Sequence, residues 1–186
     1  VILQNYVISG DLLLAEGIGD GDVTLNNVTV KGETVVKGGG KDSIYINGGQ
    51  YGSIIVESTS EGGVRLVAMD VKGLEIIISE KAAGEEIVLE GTFENVTIKA
   101  NEVVLTTQGD TEIKELTVTE NLADIKINLK EGTKVEKLIL DSVTEVDNAK
   151  GTVEKINGDE ADNSSIANKP SAPAPGGGGG PTEKIV

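Results

Sequence analysis

The chain has 186 residues, only 2% of them aromatic, and it carries a formal net charge of −15. Nucleic-acid binding needs clustered lysine and arginine side chains, and an anionic membrane repels an acidic surface, so this charge disfavours both classes of partner. The sequence contains no cysteine and no histidine, which excludes Cys/His zinc sites, histidine-based catalytic triads and disulfide bonds.

The first 22 residues contain two apolar clusters, Tyr6–Ile8 and Leu12–Leu14. They predict either the first coil of a repeating structure or an N-terminal cap, because the end of such a structure otherwise exposes unpaired strand edges. The chain starts with valine, and it has no signal peptide and no apolar run long enough to cross a membrane. We therefore expect a mature or excised fragment without membrane insertion.

A three-residue strand pattern begins at Val23 and returns along the chain with an apolar residue at each end. Such a triplet predicts a half-buried β-strand. Asn26, Asn47 and Asn128 follow three of the triplets, and we expect turns there because asparagine tolerates left-handed backbone geometry. The triplets are Val23–Leu25, Ile44–Ile46, Val64–Leu66, Ile87–Leu89, Val103–Leu105 and Ile125–Ile127.

A second repeated pattern has three apolar residues, separated first by two residues and then by one. Its middle apolar residues are 20, 22, 20, 22 and 18 positions apart, and a period near 20 residues in a β-rich chain predicts a solenoid. The pattern occurs at Tyr51, Ile54 and Val56; at Val71, Leu74 and Ile76; at Phe93, Val96 and Ile98; at Ile113, Leu116 and Val118; at Val135, Leu138 and Leu140; and it fades at Val153 and Ile156.

Together the two patterns predict an all-β fold, a right-handed parallel β-helix of about seven coils with a period of about 20 residues, over residues 1–157. Coils about 4.8 Å apart give a rod roughly 30–35 Å long. Residues 158–186 are polar and then rich in proline and glycine, which predicts a linker or tail. Its last residues, Glu183–Val186, are a candidate strand for the edge of a neighbouring molecule.

The stretch Gly19-Asp20-Gly21-Asp22 resembles half of a calcium-binding β-roll motif. Calcium takes six to eight oxygen ligands, and a β-roll supplies them by repeating the motif on successive turns. Here the motif occurs once. Two interpretations follow: a calcium site that uses Asp20 and Asp22, or an acidic turn that leads into a strand. No other cofactor is expected.

Three outward-facing residues form a candidate carbohydrate-binding set. Tyr45 lies between two inward residues and is expected to be exposed, whereas Tyr51 and Phe93 share a core column. Thr97 and Thr117 are expected to stack on neighbouring coils and to form a flat hydroxyl array. The predicted outward positions of the second strand are Ile55, Glu75, Thr97, Thr117 and Ile139, and exposed isoleucines at 55, 77 and 139 indicate a covered face or a partner surface.

Polysaccharide lyases and hydrolases also use β-helices, but the sequence does not favour catalysis. A lyase needs a basic catalytic residue among acidic ones, and the sole arginine, Arg65, has no acidic neighbour in its own strand. A hydrolase needs a pair of acids in a cleft, and the short connections leave few residues for cleft walls. We therefore expect a protein that is not an enzyme.

Three segments in the first part of the chain share one style of strand and turn: Ile8–Asp11, Ala15–Gly32 and Gly38–Ile44. They resemble the right-handed β-helix repeats of large, multi-module surface proteins of Gram-positive bacteria, which often carry S-layer-homology modules. The resemblance is clearest over roughly residues 6–56. It implies an extracellular location at the cell surface or cell wall and a non-catalytic spacer, adhesive or glycan-binding role.

These observations give an ordered set of expectations about function. The first is a non-catalytic structural or adhesive module outside a bacterial cell. The second is a module that binds a cell-wall or plant polysaccharide on a flat face. The third is a self-assembling subunit that associates through coil ends or through its tail strand, and a polysaccharide-degrading enzyme comes last.

Overall fold

The computed structural model describes residues 1–19, 21–39, 43–59 and 62–169. The protein is all-β, with parallel strands stacked as a β-solenoid of about eight turns and a period of about 21 residues. This confirms the predicted parallel β-helix. The predicted number of about seven coils is close to the observed number, and the first 14 residues form a full coil of strands that pair with the next one.

The described residues form 17 strands and two short 3-10 helices, Glu16–Ile18 and Glu80–Ala82. The strands are β1 Ile2–Gln4, β2 Val7–Ile8, β3 Leu12–Leu14, β4 Val23–Val30, β5 Thr34–Val36, β6 Ile44–Gln50, β7 Ser53–Val56, β8 Gly63–Met69, β9 Glu75–Ile78, β10 Glu86–Ile98, β11 Val104–Thr107, β12 Glu112–Val118, β13 Ile125–Asn128, β14 Lys134–Leu140, β15 Thr144–Asp147, β16 Thr152–Asn157 and β17 Ser165–Ile166.

All pairings between these strands are parallel, and they form two ladders along the solenoid axis. The first ladder contains β1, β2, β4, β6, β8, the first half of β10, β11, β13, β15 and β17. The second ladder contains β3, β5, β7, β9, the second half of β10, β12, β14 and β16. The solenoid extends beyond residue 157, because β17 pairs with β15.

The core consists of thin aliphatic layers stacked between the two ladders. Alternation along each strand turns every second side chain inward, and the inward residues of β4, Val23 and Leu25, are fully buried. Phe93 is the one aromatic side chain among the fully buried residues, as its column predicts. Tyr51 packs against the same core but is only half-buried.

The register corrects one repeat of the sequence pattern by two residues. Ile76 and Ile78 lie beside Ile54 and Val56 on one side and beside Val96 and Ile98 on the other. The sequence pattern predicts Leu74 and Ile76 beside these residues of the neighbouring coils, and this prediction is therefore wrong. The error has a physical cause: Val71 and Leu74 are also buried, at the corner before β9, so an apolar pattern of the same spacing exists two residues earlier.

The same displacement affects the triplets of the first ladder. Ile44 pairs with Leu66 rather than with Val64, and Ile87 pairs with Leu105 rather than with Val103. In the first case the apolar alternation continues past the triplet to the buried Ala68, and in the second the buried Thr107 takes the next inward position. The apolar triplet therefore does not identify which of two registers the strands adopt.

The asparagines predicted at turns have a different role from the one expected. Asn26, Asn47 and Asn128 do not have left-handed backbone geometry, whereas Asn27, next to the first of them, has a φ of 50°. Asn26 and Asn47 instead stack on adjacent coils, and the Asn47 side-chain amide donates a hydrogen bond of 2.9 Å to the Asn26 side-chain oxygen. Asn128 donates likewise to Thr106 on the neighbouring coil, at 3.3 Å.

Buried hydroxyl groups close the corners in the second half of the solenoid. The Thr107 and Thr133 hydroxyls lie 2.6 Å apart, and Thr107 also accepts a hydrogen bond from the Lys130 amide. The Ser142 hydroxyl donates to the Thr119 carbonyl and accepts from the Leu122 amide. Because a polar corner that enters the core is costly unless its groups are paired, these bonds let the chain turn without unsatisfied backbone groups.

Two glycines provide a matched test of how closely neighbouring coils approach. Gly91 and Gly84 both have positive φ, 111° and 80°, but a Cβ at Gly91 would collide with the Ala68 carbonyl, whereas nothing lies within 4 Å at Gly84. We expect Gly84→Ala to lower the free energy of unfolding by about 1–2 kcal/mol, through backbone strain alone. Gly91→Ala should cost about 2–5 kcal/mol, because the steric conflict adds to that strain. Urea unfolding followed by circular dichroism measures both values, and equal losses would contradict the close approach.

Candidate functional site

The outward side chains of the second ladder form one continuous column across eight coils. Adjacent members of this column are register partners, so the distance between neighbours is that between parallel strands, about 4.8 Å. We call the column the stripe. Its members are Leu13, Val35, Ile55, Ile77, Thr97, Thr117, Ile139 and Asn157.

The stripe is aliphatic over most of its length although it faces outward. The side chains from Val35 to Ile139 are half-buried because each is flanked by its neighbours above and below, and Leu13 in the first coil is 57% exposed. A depression of about 430 Å³ lies along Ile55 and Ile77. Continuous outward aliphatic residues at this spacing are typical of a contact surface rather than of a solvated strand.

One member of the predicted outward set is wrong. Glu75 was expected in this column, but Ile77 occupies it, between Ile55 and Thr97. Glu75 lies two residues earlier on the same strand. The correction replaces a charge by an isoleucine at the centre of the stripe. The sequence interpretation also missed Val35 and Leu13, although the alternation in Thr34–Val36 and Leu12–Leu14 carried the signal for both.

Two charged columns border the stripe. The leading column lies two residues before the stripe in each coil, and the trailing column lies two residues after it. In the trailing column, each backbone amide donates a hydrogen bond of 2.8–3.1 Å to a carbonyl of the preceding coil. The leading column is Glu33, Ser53, Glu75, Asn95, Glu115 and Lys137. The trailing column is Lys37, Glu57, Ser79, Lys99, Thr119 and Asp141.

Ion pairs and hydrogen bonds run along both columns. In the trailing column, Glu57 accepts from Lys81 at 2.8 Å and lies 3.3 Å from the Lys37 ammonium. The hydrogen bond from Lys81, supported by one from Lys37, holds the pKa of Glu57 below its usual value. In the leading column, Lys137 donates to Glu115 at 2.9 Å. Glu57 and Lys137, which border the stripe, are therefore each paired with a side chain from a neighbouring coil.

The candidate carbohydrate residues are divided between the two ladders. Thr97 and Thr117 are adjacent members of the stripe and are half-buried. Tyr45 lies in the first ladder, in an outward column between Thr24 and Val67, and is also half-buried. The fold therefore brings the two threonines together but places Tyr45 on the other ladder, where it does not extend their array.

The candidate calcium residues are only partly within the described chain. Asp20 lies outside the described residues. Asp22 is exposed immediately before β4, and its backbone carbonyl accepts a hydrogen bond of 2.6 Å from the N-terminal amine. Within the described ranges, no group of three or more acidic side chains is placed to hold a metal ion. A calcium site at Asp20 and Asp22 stays a prediction.

The sole arginine bridges three coils of the first ladder. One guanidinium nitrogen of Arg65 donates to the Ser43 hydroxyl at 3.1 Å, and the other lies 2.5 Å from a carboxylate oxygen of Glu90. The acidic neighbour that is missing from its own strand is thus supplied by the next coil. Because these contacts join neighbouring coils, they stabilise the stack, and the arginine is already paired.

A short acidic cluster follows β16 and precedes the candidate tail strand. In the cluster of Asp159, Glu160 and Asp162, the last is paired with Lys169 at 2.6 Å, and this contact lowers the pKa of Asp162. Glu160 accepts a hydrogen bond from the Asn163 side chain at 2.6 Å. The candidate tail strand, Glu183–Val186, lies outside the described residues.

No family model matches this chain, and no curated protein and no solved structure matches it. Within the part of the chain that the structure describes, no helix is long and apolar enough to cross a membrane. The stripe and its two charged columns offer a flat contact surface about 29 Å long over the six coils that both columns span.

Tyr51 gives a pH-dependent test of how its corner packs. Its hydroxyl is buried without a hydrogen-bond partner among the described residues, and burial raises the pKa of Tyr51 to about 12. The unfolded chain ionises this phenol near pH 10, so its contribution to the free energy of unfolding is complete below about pH 10 and is lost as the pH rises towards 12.

We expect Tyr51→Phe to remove this part of the pH dependence and Tyr45→Phe to leave it unchanged. Urea unfolding at a series of alkaline pH values, with ultraviolet absorbance of the phenolate, measures both. If Tyr51→Phe leaves the alkaline pH dependence of unfolding unchanged, the Tyr51 hydroxyl is not buried.

Proposed function

We propose that this chain is a non-catalytic structural module of an extracellular bacterial surface protein. It acts as a stiff spacer whose side presents a contact face. The proposal rests on one observation above all, which is the continuous pairing of parallel strands from β1 to β17. Each coil contacts the coils before and after it, so length is added coil by coil along one axis.

The path of the chain supports a spacer. The first strand pairs in the first coils and the last strand in the final coil, so the two ends of the described chain lie at opposite ends of the stack. About eight turns at about 4.8 Å each separate them by roughly 34–38 Å. A close-packed aliphatic core resists compression and keeps that separation fixed.

The location is supported by the sequence rather than by the geometry. Residues 6–56 resemble β-helix repeats of Gram-positive surface proteins, and the surface is strongly acidic. A solenoid whose stability comes from stacked aliphatic layers needs no disulfide bonds, which suits either an oxidising or a reducing environment.

Polysaccharide binding is the second candidate, and the two adjacent threonines favour it. Thr97 and Thr117 present hydroxyl groups on neighbouring coils, with Asn95 and Lys99 beside the first of them. A flat row of hydrogen-bonding groups suits an extended, regular polymer. Self-assembly through coil ends or through the tail strand is a third candidate, and the first coil does expose Ile2, Val7 and Leu13.

Removal of one complete coil tests the spacer directly. Ile98 and Val118 are register partners, so deletion of residues 99–118 joins equivalent positions and restores both ladders. We expect a folded protein with cooperative unfolding and a rod shorter by about 4.8 Å in small-angle X-ray scattering. Deletion of residues 99–108 removes half a coil, breaks the register and should prevent folding. Failure of the full-coil deletion to fold would contradict the modular stack.

Labelling of intact cells tests the proposed location. An antibody against residues 1–169 is expected to bind intact cells of the source organism as well as permeabilised ones. Binding only after permeabilisation would exclude an extracellular role.

Retention on insoluble polysaccharide distinguishes the second candidate. If the stripe binds glycan, Thr97→Val with Thr117→Val should reduce retention on cell-wall or plant polysaccharide at least tenfold, because the hydroxyls are lost while the shape is kept. Thr24→Val, on the first ladder, is the matched control. No retention of the unmodified protein on any matrix would remove this candidate.

A further inference from the structure

The stripe has a property that a spacer alone does not require. Six consecutive outward positions, from Val35 to Ile139, are β-branched residues in register, and four of them are aliphatic. Aliphatic side chains that are half-buried within a flat row gain further burial only if another surface covers them.

The columns beside the stripe carry charges of both signs. Together they contain five acidic residues and three lysines, and the chain as a whole carries a formal net charge of −15. A second copy of so acidic a chain is repelled by most of the surface, so an approach through this face depends on how its acids and lysines are arranged.

The arrangement of these charges is complementary to itself. If two copies meet face to face about a two-fold axis parallel to the solenoid axis, each leading residue opposes the trailing residue of the same coil in the other copy. Glu33 then faces Lys37, and Lys137 faces Asp141. The four coils between them place a charged residue opposite a neutral one: Ser53 and Glu57, Glu75 and Ser79, Asn95 and Lys99, Glu115 and Thr119.

The same axis also matches the stripe with itself. Each coil opposes its own counterpart, so Ile55 meets Ile55, Ile77 meets Ile77 and Thr97 meets Thr97. If the two-fold axis ran across the coils instead, Ile55 would oppose Thr117 and Ile77 would oppose Thr97. That arrangement also avoids like charges, but it buries hydroxyl groups against isoleucines and is less favourable.

We propose that two copies of this chain associate through the stripe, face to face and with their solenoid axes parallel. The described contact covers roughly 29 by 13 Å, or on the order of 400 Å² from each copy. The two copies together bury about 800 Å², which is less than a stable interface needs. The association is therefore weak and transient, with a dissociation constant on the order of 10⁻⁴ M. The inference does not depend on the cellular location proposed above.

Sedimentation of the complete chain from about 10 µM to about 1 mM tests the association. The weight-average mass should approach twice the monomer mass with rising concentration, and Ile77→Lys should weaken the dimer at least tenfold, because two lysines then meet at the axis. Val104→Lys, at a half-buried outward position on the first ladder, is the matched control and should leave the dimer unchanged. Ile77→Thr, which imitates the next two coils, should fold and retain most of the association.

A charge exchange tests the orientation. Asp141→Lys opposes Lys137 with a like charge and should weaken the dimer, and the double variant Lys137→Asp with Asp141→Lys should restore it. Restoration is expected only with parallel axes. If the two-fold axis runs across the coils, the double variant places a carboxylate opposite Glu33 and an ammonium group opposite Lys37, and both pairs repel. Since the chain contains no cysteine, Ile139→Cys can also be cross-linked with a bis-maleimide of about 10 Å, the usual distance between packed sheets.

Cross-linking of Ile139→Cys to itself supports the parallel dimer. Its absence, together with cross-linking between separate Val35→Cys and Ile139→Cys chains, overturns the proposed orientation. A strictly monomeric protein at the highest concentration overturns the proposal. A further result would also overturn the proposal: Ile77→Lys leaves the weight-average mass unchanged but abolishes retention on polysaccharide. The stripe would then bind glycan.

Discussion

The structure depends on the hydrogen bonds that hold each coil in register with the next. A parallel strand pair leaves its backbone groups unsatisfied unless a neighbour is present on each side, so the stack is cooperative along its axis. Once one coil is placed, the positions of the side chains on the next follow. The core layers, the buried hydroxyl corners and the outward columns are all consequences of this single constraint.

Register also converts a sequence of low complexity into a surface with specific features. Residues about 21 positions apart along the chain become neighbours about 4.8 Å apart, so a modest preference for β-branched residues at one position per coil becomes a continuous stripe, most of it aliphatic. Glu57, which lies between Lys37 and Lys81, illustrates the same effect for charge, because its two partners come from the coils before and after it. The contact face is thus a product of stacking, and no single coil contains it.

The fold was predictable because it rests on periodicity, whereas the candidate site depended on exact register. Alternation identified Phe93 as a core residue and Thr97 and Thr117 as stacked outward residues, and both are observed. The coil at β9 was misaligned by two residues, because Val71 and Leu74 are buried at its corner and imitate the repeat. That displacement placed Glu75 at the centre of the column, although the exposed isoleucines at 55, 77 and 139 already indicated a covered face or a partner surface.

The sequence by itself determined the period, the inward and outward faces of each strand, and the absence of cysteine, histidine and a basic patch. Those properties are local or compositional, and they do not depend on which coil meets which. The tertiary structure alone decided the lateral neighbours, such as Ile77 beside Ile55 and Arg65 beside Glu90. The physical reason is that side chains alternate with a period of two, so registers that differ by two residues turn the same side chains inward. The hydrogen bonds and corner contacts between coils then decide which residues become neighbours.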